Sequence, residues 1–194
     1  MCFIDDLMQS QILFTDIRLG NRSISESVDK SVLDNNFKKK SGGNFLFIKI
    51  QTNRKLVEKY LSTDKTYTET YKKHFDSIKG EIVVDRNTDK LAGYVFVMNM
   101  FIYTLFVYPE YRGYNLGNIL TRNAVKNYNA RKLWVSKDNK VAINLYKKHG
   151  FKVFYEDYEP SILMATEEKY AKDTIRYLNI NKKIIVFEID QNFK

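Results

Sequence analysis

The chain passes from an apolar strand into a helix through the residues Leu105-Phe106-Val107-Tyr108-Pro109-Glu110-Tyr111-Arg112-Gly113-Tyr114-Asn115-Leu116-Gly117. Residues 100–107 are almost all apolar, which predicts a strand that is covered on both faces near the centre of a sheet. The polar residues after Pro109 predict a tight turn, and a helical pattern follows over about 116–129. A central strand that leads directly into a helix indicates an α/β fold.

The turn itself has the features of an anion-binding site. The start of a helix exposes unpaired backbone N–H groups and carries the positive end of the helix dipole. Gly113 and Gly117 have no side chain, so a ligand can approach the backbone closely, and Arg112 adds a permanent positive charge. The pattern indicates a pyrophosphate site, whereas the alternative is that the glycines only shape the turn.

A second informative segment covers residues 139–151 and predicts a helix that stops at Gly150. Asn139, Ala142 and Tyr146 are spaced three and then four residues apart, so they should share one helix face. The small alanine leaves room for a ligand beside the tyrosine. A phenol has a pKa of about 10, close enough to the value of about 8.5 for a thiol to protonate a departing thiolate. The alternative is that Tyr146 is a core aromatic.

The remaining patterns complete a mixed sheet. Three strands in succession imply antiparallel pairing, and the strand-helix-strand units imply local parallel pairing. A polar run at 38–43 marks a boundary, and the last residues predict a further helix at about 167–178 and a strand at 183–189. We predict strands at 44–50, 80–85, 91–98, 100–107, 133–135, 151–155 and 161–166, and helices within 53–76, 116–129 and 139–149.

The composition excludes several classes of protein. Of the 194 residues, 44% are hydrophobic and 28% are charged, which argues against wholesale disorder. The single cysteine, Cys2, excludes a disulfide framework and a multi-cysteine zinc site, and it fits a reducing compartment. No run approaches the ~18 apolar residues of a membrane span, and the first residues lack the basic region of a signal peptide. We therefore expect a cytoplasmic protein with no metal site and no membrane partner.

The formal net charge of +9 is concentrated in one segment. Residues 112–152 contain ten basic side chains and a single acidic one, Asp138, so this segment also carries +9. Three acids follow at Glu156, Asp157 and Glu159. Such a field would attract an anionic ligand to one side and a cationic ligand to the other. The plain alternative is that the lysines form the solvated faces of two helices.

These segments resemble the two main motifs of the GNAT N-acetyltransferase superfamily. The acyl-CoA motif Q/R-x-x-G-x-G/A, after a strand that ends in V-x-P, matches Val107 to Gly117, with Asn115 in place of the middle glycine. The motif N-x-x-A-x-x-x-Y-x-x-x-G-F matches residues 139–151 without a gap. The resemblance covers residues 44–166 and implies an N-acetyltransferase domain there, with an N-terminal extension at 1–43 and a C-terminal helix-strand extension at 167–194.

The resemblance implies a fold, a co-substrate and a reaction. The fold would be a GNAT-like, mostly antiparallel central sheet with flanking helices, in which acetyl-CoA wedges between two splayed parallel strands. An amine would attack the thioester directly in a ternary complex, with Tyr146 as general acid on the coenzyme A thiolate and Asn139 on the pantetheine. Backbone groups would bind the rest of the co-substrate: those of Phe106 and Val107 the pantetheine and thioester, and those of Arg112, Gly113, Tyr114, Asn115, Leu116 and Gly117 the pyrophosphate.

The sequence leaves the general base and the acceptor amine open. Trp134 occupies the place where the subgroup that acetylates protein N-termini usually has a glutamate, so that base does not transfer. The acceptor is the amine of a peptide or protein, or of a small molecule such as a polyamine or an aminoglycoside. Candidate bases are His74, Glu81, Asp85, Glu156, Asp157 and Glu159, and candidate acceptor-lining aromatics are Tyr60, Tyr67, Tyr71 and Phe75.

Two further questions stay open at this point. The basic surface permits an alternative function, a protein that binds nucleic acid or the ribosome on a degenerate GNAT fold, although no nucleic-acid motif supports it. The intact Asn139 and Tyr146 argue against such degeneracy. The terminal extensions complete the sheet, cover the acceptor site or form a homodimer, and the sequence does not choose between these roles.

Overall fold

The computed structural model describes residues 43–52, 54–64, 74–158, 160–176 and 178. The predicted strand at 183–189, Tyr67, Tyr71 and nearly all of the N-terminal extension lie outside these residues. Residues 168–176 are helical, as expected. The other elements follow the predicted order: β1 (Phe45–Lys49), α1 (Arg54–Leu61), β2 (Lys79–Asp85), β3 (Lys90–Met98), β4 (Phe101–Val107), α2 (Leu116–Asn127), β5 (Lys132–Ser136), α3 (Lys140–Lys148), β6 (Lys152–Tyr158) and β7 (Ser161–Ala165).

The described strands form one sheet in the order β1-β2-β3-β4-β5-β7-β6. Every neighbouring pair is antiparallel except β4 and β5, which are parallel. The apolar strand β4 is the fourth of the seven, so its predicted central position is confirmed. A mixed, mostly antiparallel sheet with one parallel pair therefore lies at the centre of this α/β fold.

The parallel pair separates soon after it forms. Among the described residues, two pairs join β4 and β5: Phe101 with Lys132 and Ile102 with Leu133. On its other side β4 carries a bulge at this level, because Phe96 pairs with Thr104 and Val97 with Ile102, so the register shifts by one residue at Tyr103. A bulge bends and twists its strand. Beyond Ile102 and Leu133 the two strands no longer pair, which leaves a gap between their carboxyl ends.

Helices cover both faces of the sheet. The face that we call the α1 face packs against Val57 and Leu61 of α1 and Ala171 of the last described helix. The opposite face, the α2 face, packs against α2 and α3 through residues such as Leu120 and Ile143. The bulge also changes which residues of β4 reach the α1 face, from Phe101 and Tyr103 to Phe106. Tyr108, directly after the strand, packs against the cores of both faces.

Two of the candidate acceptor-lining aromatics belong to the core, the more common role of aromatics at helical spacing. Tyr60 and Phe75 are both buried in the core on the α1 face. The Tyr60 hydroxyl donates to Asp89 in the turn between β2 and β3, which raises the pKa of Tyr60. Both side chains therefore hold α1 and its neighbouring turn on the sheet, as helical spacing of aromatics usually indicates.

Candidate active site

The turn after β4 has the backbone conformation that its sequence predicts. Gly113 has a φ of 90° and Asn115 a φ of 64°, so both lie in the left-handed region. Glycine enters this region freely, and asparagine tolerates it better than most residues. The loop therefore forms with Asn115 in place of glycine.

Aromatic contacts hold the turn against the sheet. The rings of Tyr111 and Tyr114 meet the Phe45 ring of β1 edge-on, at centroid distances of 6.1 and 5.3 Å. At the end of β4, the Nε of Arg112 donates to the carbonyl of Val107 at 3.3 Å. The turn is thus fixed at both ends by the protein itself, which lowers the entropic cost of ligand binding.

The first turn of α2 presents its backbone to this loop. Asn115 precedes the helix without capping it through its side chain. The first bond into the helix at this end runs from Ile119 N–H to the carbonyl of Asn115. The N–H groups of Leu116 and Gly117 therefore lack an acceptor within the helix. The Leu116 side chain is buried, so only its backbone is available to a ligand.

The structure corrects the position of Asn139. This residue precedes α3 as its N-cap instead of lying on the helix face with Ala142 and Tyr146. Its side-chain oxygen accepts a hydrogen bond from the N–H of Ala142 at 3.1 Å. Such a cap stabilises a helix by about 1 kcal/mol. The amide nitrogen of Asn139 is then the side-chain group that this exposed residue can offer to a ligand.

The other end of α3 fixes Tyr146. Gly150 has a φ of 85° and donates to the carbonyl of Lys147, while Phe151 N–H donates to the carbonyl of Tyr146. These two bonds are those of a Schellman motif, and the accompanying apolar contact is the edge-on packing of Tyr146 and Phe151 at 5.9 Å. The predicted helix stop at Gly150 is confirmed. The Tyr146 ring is 7% exposed and is held before any ligand binds.

Helices α2 and α3 meet beside the turn. A Cβ atom built on Gly117 would lie 3.4 Å from Cδ2 of Leu145, the residue before Tyr146. The ring of His149, at the end of α3, lies 2.6 Å from the side-chain oxygen of Asn118. Burial and the nearby charge of Arg122 lower the pKa of His149. The structure thus brings both predicted motifs to one end of the sheet, next to the gap.

Phe106 and Val107 end β4 on one side of the gap. Both are half-buried, and each pairs with β3, Phe106 opposite Tyr94 and Val107 opposite Gly93. Since β5 pairs with neither, their backbones border the opening.

Two members of the basic segment serve the fold instead of the site. Lys132 is buried, and its ammonium donates to the hydroxyl of Thr174 at 3.3 Å on the α1 face. Burial lowers the pKa of Lys132. The guanidinium of Arg131 donates to the carbonyls of Val125 and Ala130 near the end of α2. These two charges therefore do not add to an anion-binding surface.

Two of the candidate bases have structural partners. Glu81 is buried on the α2 face, where its oxygens accept from Asn123 at 2.7 Å and from the Tyr128 hydroxyl at 3.2 Å. Burial and the charge of Glu81 raise the pKa of Tyr128, so this phenol remains a donor. The Asp85 carboxylate accepts from the Asn87 N–H and the Thr88 hydroxyl, which caps the turn between β2 and β3.

Two other candidate bases, His74 and Glu156, are less enclosed. His74 is half-buried just before the short 3-10 turn Phe75–Ser77, and Glu156 is exposed on β6. The side chains of Asp157 and Glu159 lie outside the described part of the structure.

Sequence reasoning missed one pair of side chains near the gap. Asp64 follows α1 and is 7% exposed, and its carboxylate is hydrogen-bonded with the hydroxyl of Tyr108 at the end of β4. Burial and this carboxylate raise the pKa of Tyr108 far above its ordinary value, so the phenol stays protonated. The signal is weak in sequence, since Asp64 stands in a polar stretch after a helix and belongs to no motif.

The described residues contain neither a group suited to a metal ion nor a helix suited to crossing a membrane. Among them, no group of three or more His, Cys, Asp or Glu side chains could hold a metal ion. None of the helices in the same ranges is long and apolar enough to cross a membrane.

Comparison with models of protein families identifies a family for this chain. The model of the Acetyltransferase (GNAT) family matches residues 50–151, which is more than half of the chain. A search of curated proteins gives no match.

Several solved structures are similar to this chain. One is an IAA acetyltransferase from Bacillus cereus ATCC 14579, at 16% identity, with 64% of this chain and 99% of that chain covered and a TM-score of 0.47. Another is the ribosomal-protein-S18-alanine N-acetyltransferase from Escherichia coli, at 18% identity, 63% and 92% coverage and a TM-score of 0.47. A third is the Campylobacter jejuni N-acetyltransferase PseH in complex with acetyl coenzyme A, at 17% identity, 64% and 99% coverage and a TM-score of 0.43.

Proposed function

The chain belongs to the GNAT acetyltransferase family, and on that premise we propose that it transfers an acetyl group from acetyl-CoA to an amine. The observation that carries this proposal is the gap between β4 and β5, which ends at the left-handed turn before α2. The strand ends present their backbones to the gap, and the turn offers an anion site. A thioester joined to a diphosphate through an extended arm is complementary to both.

The turn would hold the pyrophosphate. Gly113 and Asn115 give it the curvature that points successive N–H groups inward, and the start of α2 adds the positive end of the helix dipole. The six residues from Arg112 to Gly117, including Tyr114 and Leu116, would contribute their backbone amides. Arg112 is exposed and would add its guanidinium charge.

The gap would hold the pantetheine arm and the thioester. Backbone groups of Phe106 and Val107 border it, and the Asn139 amide nitrogen would donate to the arm from the start of α3. Acetyl-CoA supplies an activated acyl group. The strand backbone would orient the thioester and polarise its carbonyl, and the aromatic and aliphatic walls would exclude water.

The reaction would be a direct transfer in a ternary complex. The neutral amine nitrogen forms a bond to the carbonyl carbon, and the carbon–sulfur bond breaks. The Tyr146 hydroxyl would donate a proton to the departing thiolate. Its ring is fixed by Phe151 and by the Schellman motif, which keeps this donor in one position.

Acetyl-CoA binding gives the first test. Acetyl-CoA at about 100 times its Kd should stabilise the native state by about 2.7 kcal/mol. For a chain of this size, that raises the Tm by about 5–10 °C. An amine panel with released coenzyme A as readout then tests the transfer. The proposal fails if the melting temperature does not move, and salt-dependent RNA binding in that case would favour a nucleic-acid-binding protein.

A further inference from the structure

Aromatic side chains lie on both sides of the gap on the α1 face. On the β4 side, the rings of Tyr94 and Phe106 lie 5.8 Å apart, and Phe106 meets Tyr108 edge-on at 4.9 Å. On the other side of the gap, Trp134 lies on β5, and Tyr155 lies two strands further along the same row, beyond Leu163. All of these side chains belong to the α1-face core or pack against it.

The exposure of these residues places a surface at the gap. Tyr94 is fully buried and lies against Phe106. Phe106, Tyr108, Trp134 and Tyr155 are each half-buried. The first three lie beside the strand opening, and with Tyr155 further along the same face they form an apolar surface that suits a ring-sized ligand.

One buried carboxylate belongs to this surface. The described residues contain three buried acids, and two of them are engaged elsewhere, Glu81 by α2 and Asp85 by its own turn. Asp64 instead is hydrogen-bonded with Tyr108, one residue beyond Val107. The buried negative charge of Asp64 thus lies beside the Tyr108 ring, next to the strand end that would hold the thioester.

From this arrangement we infer that the acceptor is a monoamine carried on an apolar, ring-sized group, and that Asp64 takes the proton from its ammonium. The inference rests on the proposed function. Aromatic walls bind an apolar group by removing its surface from water, and they attract one cation through their ring faces. A polyamine or an aminoglycoside would bring further charges that need partners of their own.

The proton balance is complete with these groups. An ammonium cannot attack, so Asp64 removes one proton and the nitrogen lone pair then forms the carbon–nitrogen bond. When the carbon–sulfur bond breaks, the Tyr146 proton goes to the thiolate. The second nitrogen proton leaves as the amide forms and restores the Tyr146 hydroxyl through solvent. One proton is released in each turnover, from Asp64 to water.

Acceptor selectivity of the unaltered protein gives the primary test. We expect kcat/KM for phenethylamine to exceed that for spermidine, and that for a short peptide with a free alanyl N-terminus, by at least about tenfold. Equal or better use of spermidine or of the peptide overturns the inference. So does the absence of any phenethylamine turnover in a protein that acetyl-CoA still stabilises, whereas loss of that stabilisation contradicts the proposed function itself.

A matched set of variants tests Asp64. Asp64→Asn should lower kcat with phenethylamine by about a hundredfold or more, since a general base contributes that much, while the acetyl-CoA thermal shift stays the same. The control is Glu110→Gln, which removes an exposed charge that also acts on Tyr108 and should leave kcat within about twofold. Turnover of Asp64→Asn within about threefold of the parent contradicts the role of Asp64.

A second variant keeps the test decisive if Asp64→Asn does not fold. Tyr108→Phe retains the ring of the apolar wall and removes the hydroxyl that holds Asp64. We expect kcat to fall about tenfold with a smaller change in KM, because the carboxylate loses its fixed position. Unchanged kcat in a folded Tyr108→Phe protein overturns the assignment.

Discussion

At the scale of single residues, Tyr146 joins a structural and a chemical role. Its ring packs on Phe151 and its carbonyl caps α3, and neither contact uses the hydroxyl. Tyr146→Phe keeps the ring and removes the proposed proton donor. We therefore expect kcat to fall by about a hundredfold, with a much smaller change in acetyl-CoA affinity.

Steady-state kinetics together with acetyl-CoA titration checks this expectation. Thermal melting of the free variant is the control, since the ring packing should hold. Unchanged turnover would remove Tyr146 from the reaction.

Gly117 offers a second test at the residue scale. A Cβ atom there would meet only a flexible methyl of Leu145 at 3.4 Å, and alanine is favoured in a helix over glycine by about 1 kcal/mol. Gly117→Ala should therefore melt at or slightly above the parent temperature. If the pyrophosphate approaches this backbone, the acetyl-CoA shift should shrink by more than half.

Gly150→Ala is the matched control for Gly117→Ala. Gly150 has a φ of 85°, so the added methyl strains the backbone and should lower stability by about 1 kcal/mol. A Cβ atom at Gly150 would meet nothing within 4 Å, so the added methyl crowds no neighbour and the acetyl-CoA shift should remain. A full shift in Gly117→Ala would contradict the proposed close approach.

At the scale of elements, His149 joins the end of α3 to the first turn of α2. Its pKa is lowered by burial and by Arg122, so the native state favours the neutral ring. The neutral ring contributes fully to the free energy of unfolding above about pH 6.5, the pKa of histidine in the unfolded chain. This contribution is lost as the pH falls through the lower pKa of His149 in the native state. The melting temperature should therefore fall between about pH 7 and pH 5.5.

His149→Gln keeps a hydrogen-bonding group near Asn118 without a titration in this range. Its melting temperature should vary less than that of the parent over the same pH interval. Equal slopes for the two proteins would show that the link between α2 and α3 does not depend on this proton.

The second motif is largely a set of helix signals. Asn139 caps the start of α3, and Gly150 with Phe151 ends it. Such signals depend on a few adjacent residues, which explains why the sequence predicted this helix nearly to its ends. The same locality misplaced Asn139, because helical spacing alone does not distinguish a cap from a first-turn residue.

At the scale of the whole molecule, the basic surface should act on the anionic ligand. The ion pairs among the described residues lie within 54–89 and 167–172. None of these pairs includes a basic side chain of α2 or α3, so they do not neutralise the positive charge of those helices. Acetyl-CoA affinity should therefore weaken as NaCl rises from about 50 to about 500 mM, because salt screens exposed charges. Acetyl-pantetheine lacks the phosphates and should bind with little salt dependence, and equal slopes by calorimetry would contradict this account.

The sequence by itself determined the features that depend on neighbours along the chain. The central strand, the turn with its left-handed residues and the helices after it follow from apolar runs, glycine positions and capping residues. The family match at residues 50–151 agrees with motifs that are contiguous in the sequence. These features are local, so a few adjacent residues suffice to specify them.

Tertiary structure decided what depends on distant residues. The gap begins where β4 stops pairing with β5, at the level where the register between β4 and β3 shifts at a bulge. Both features depend on the neighbouring strands, so the sequence of β4 alone does not encode them. Folding also buried Lys132 away from the basic surface and joined Asp64 to Tyr108 across forty-four positions of sequence. Such contacts arise from the packing of whole elements, because strand register and helix placement bring together residues that no local pattern connects.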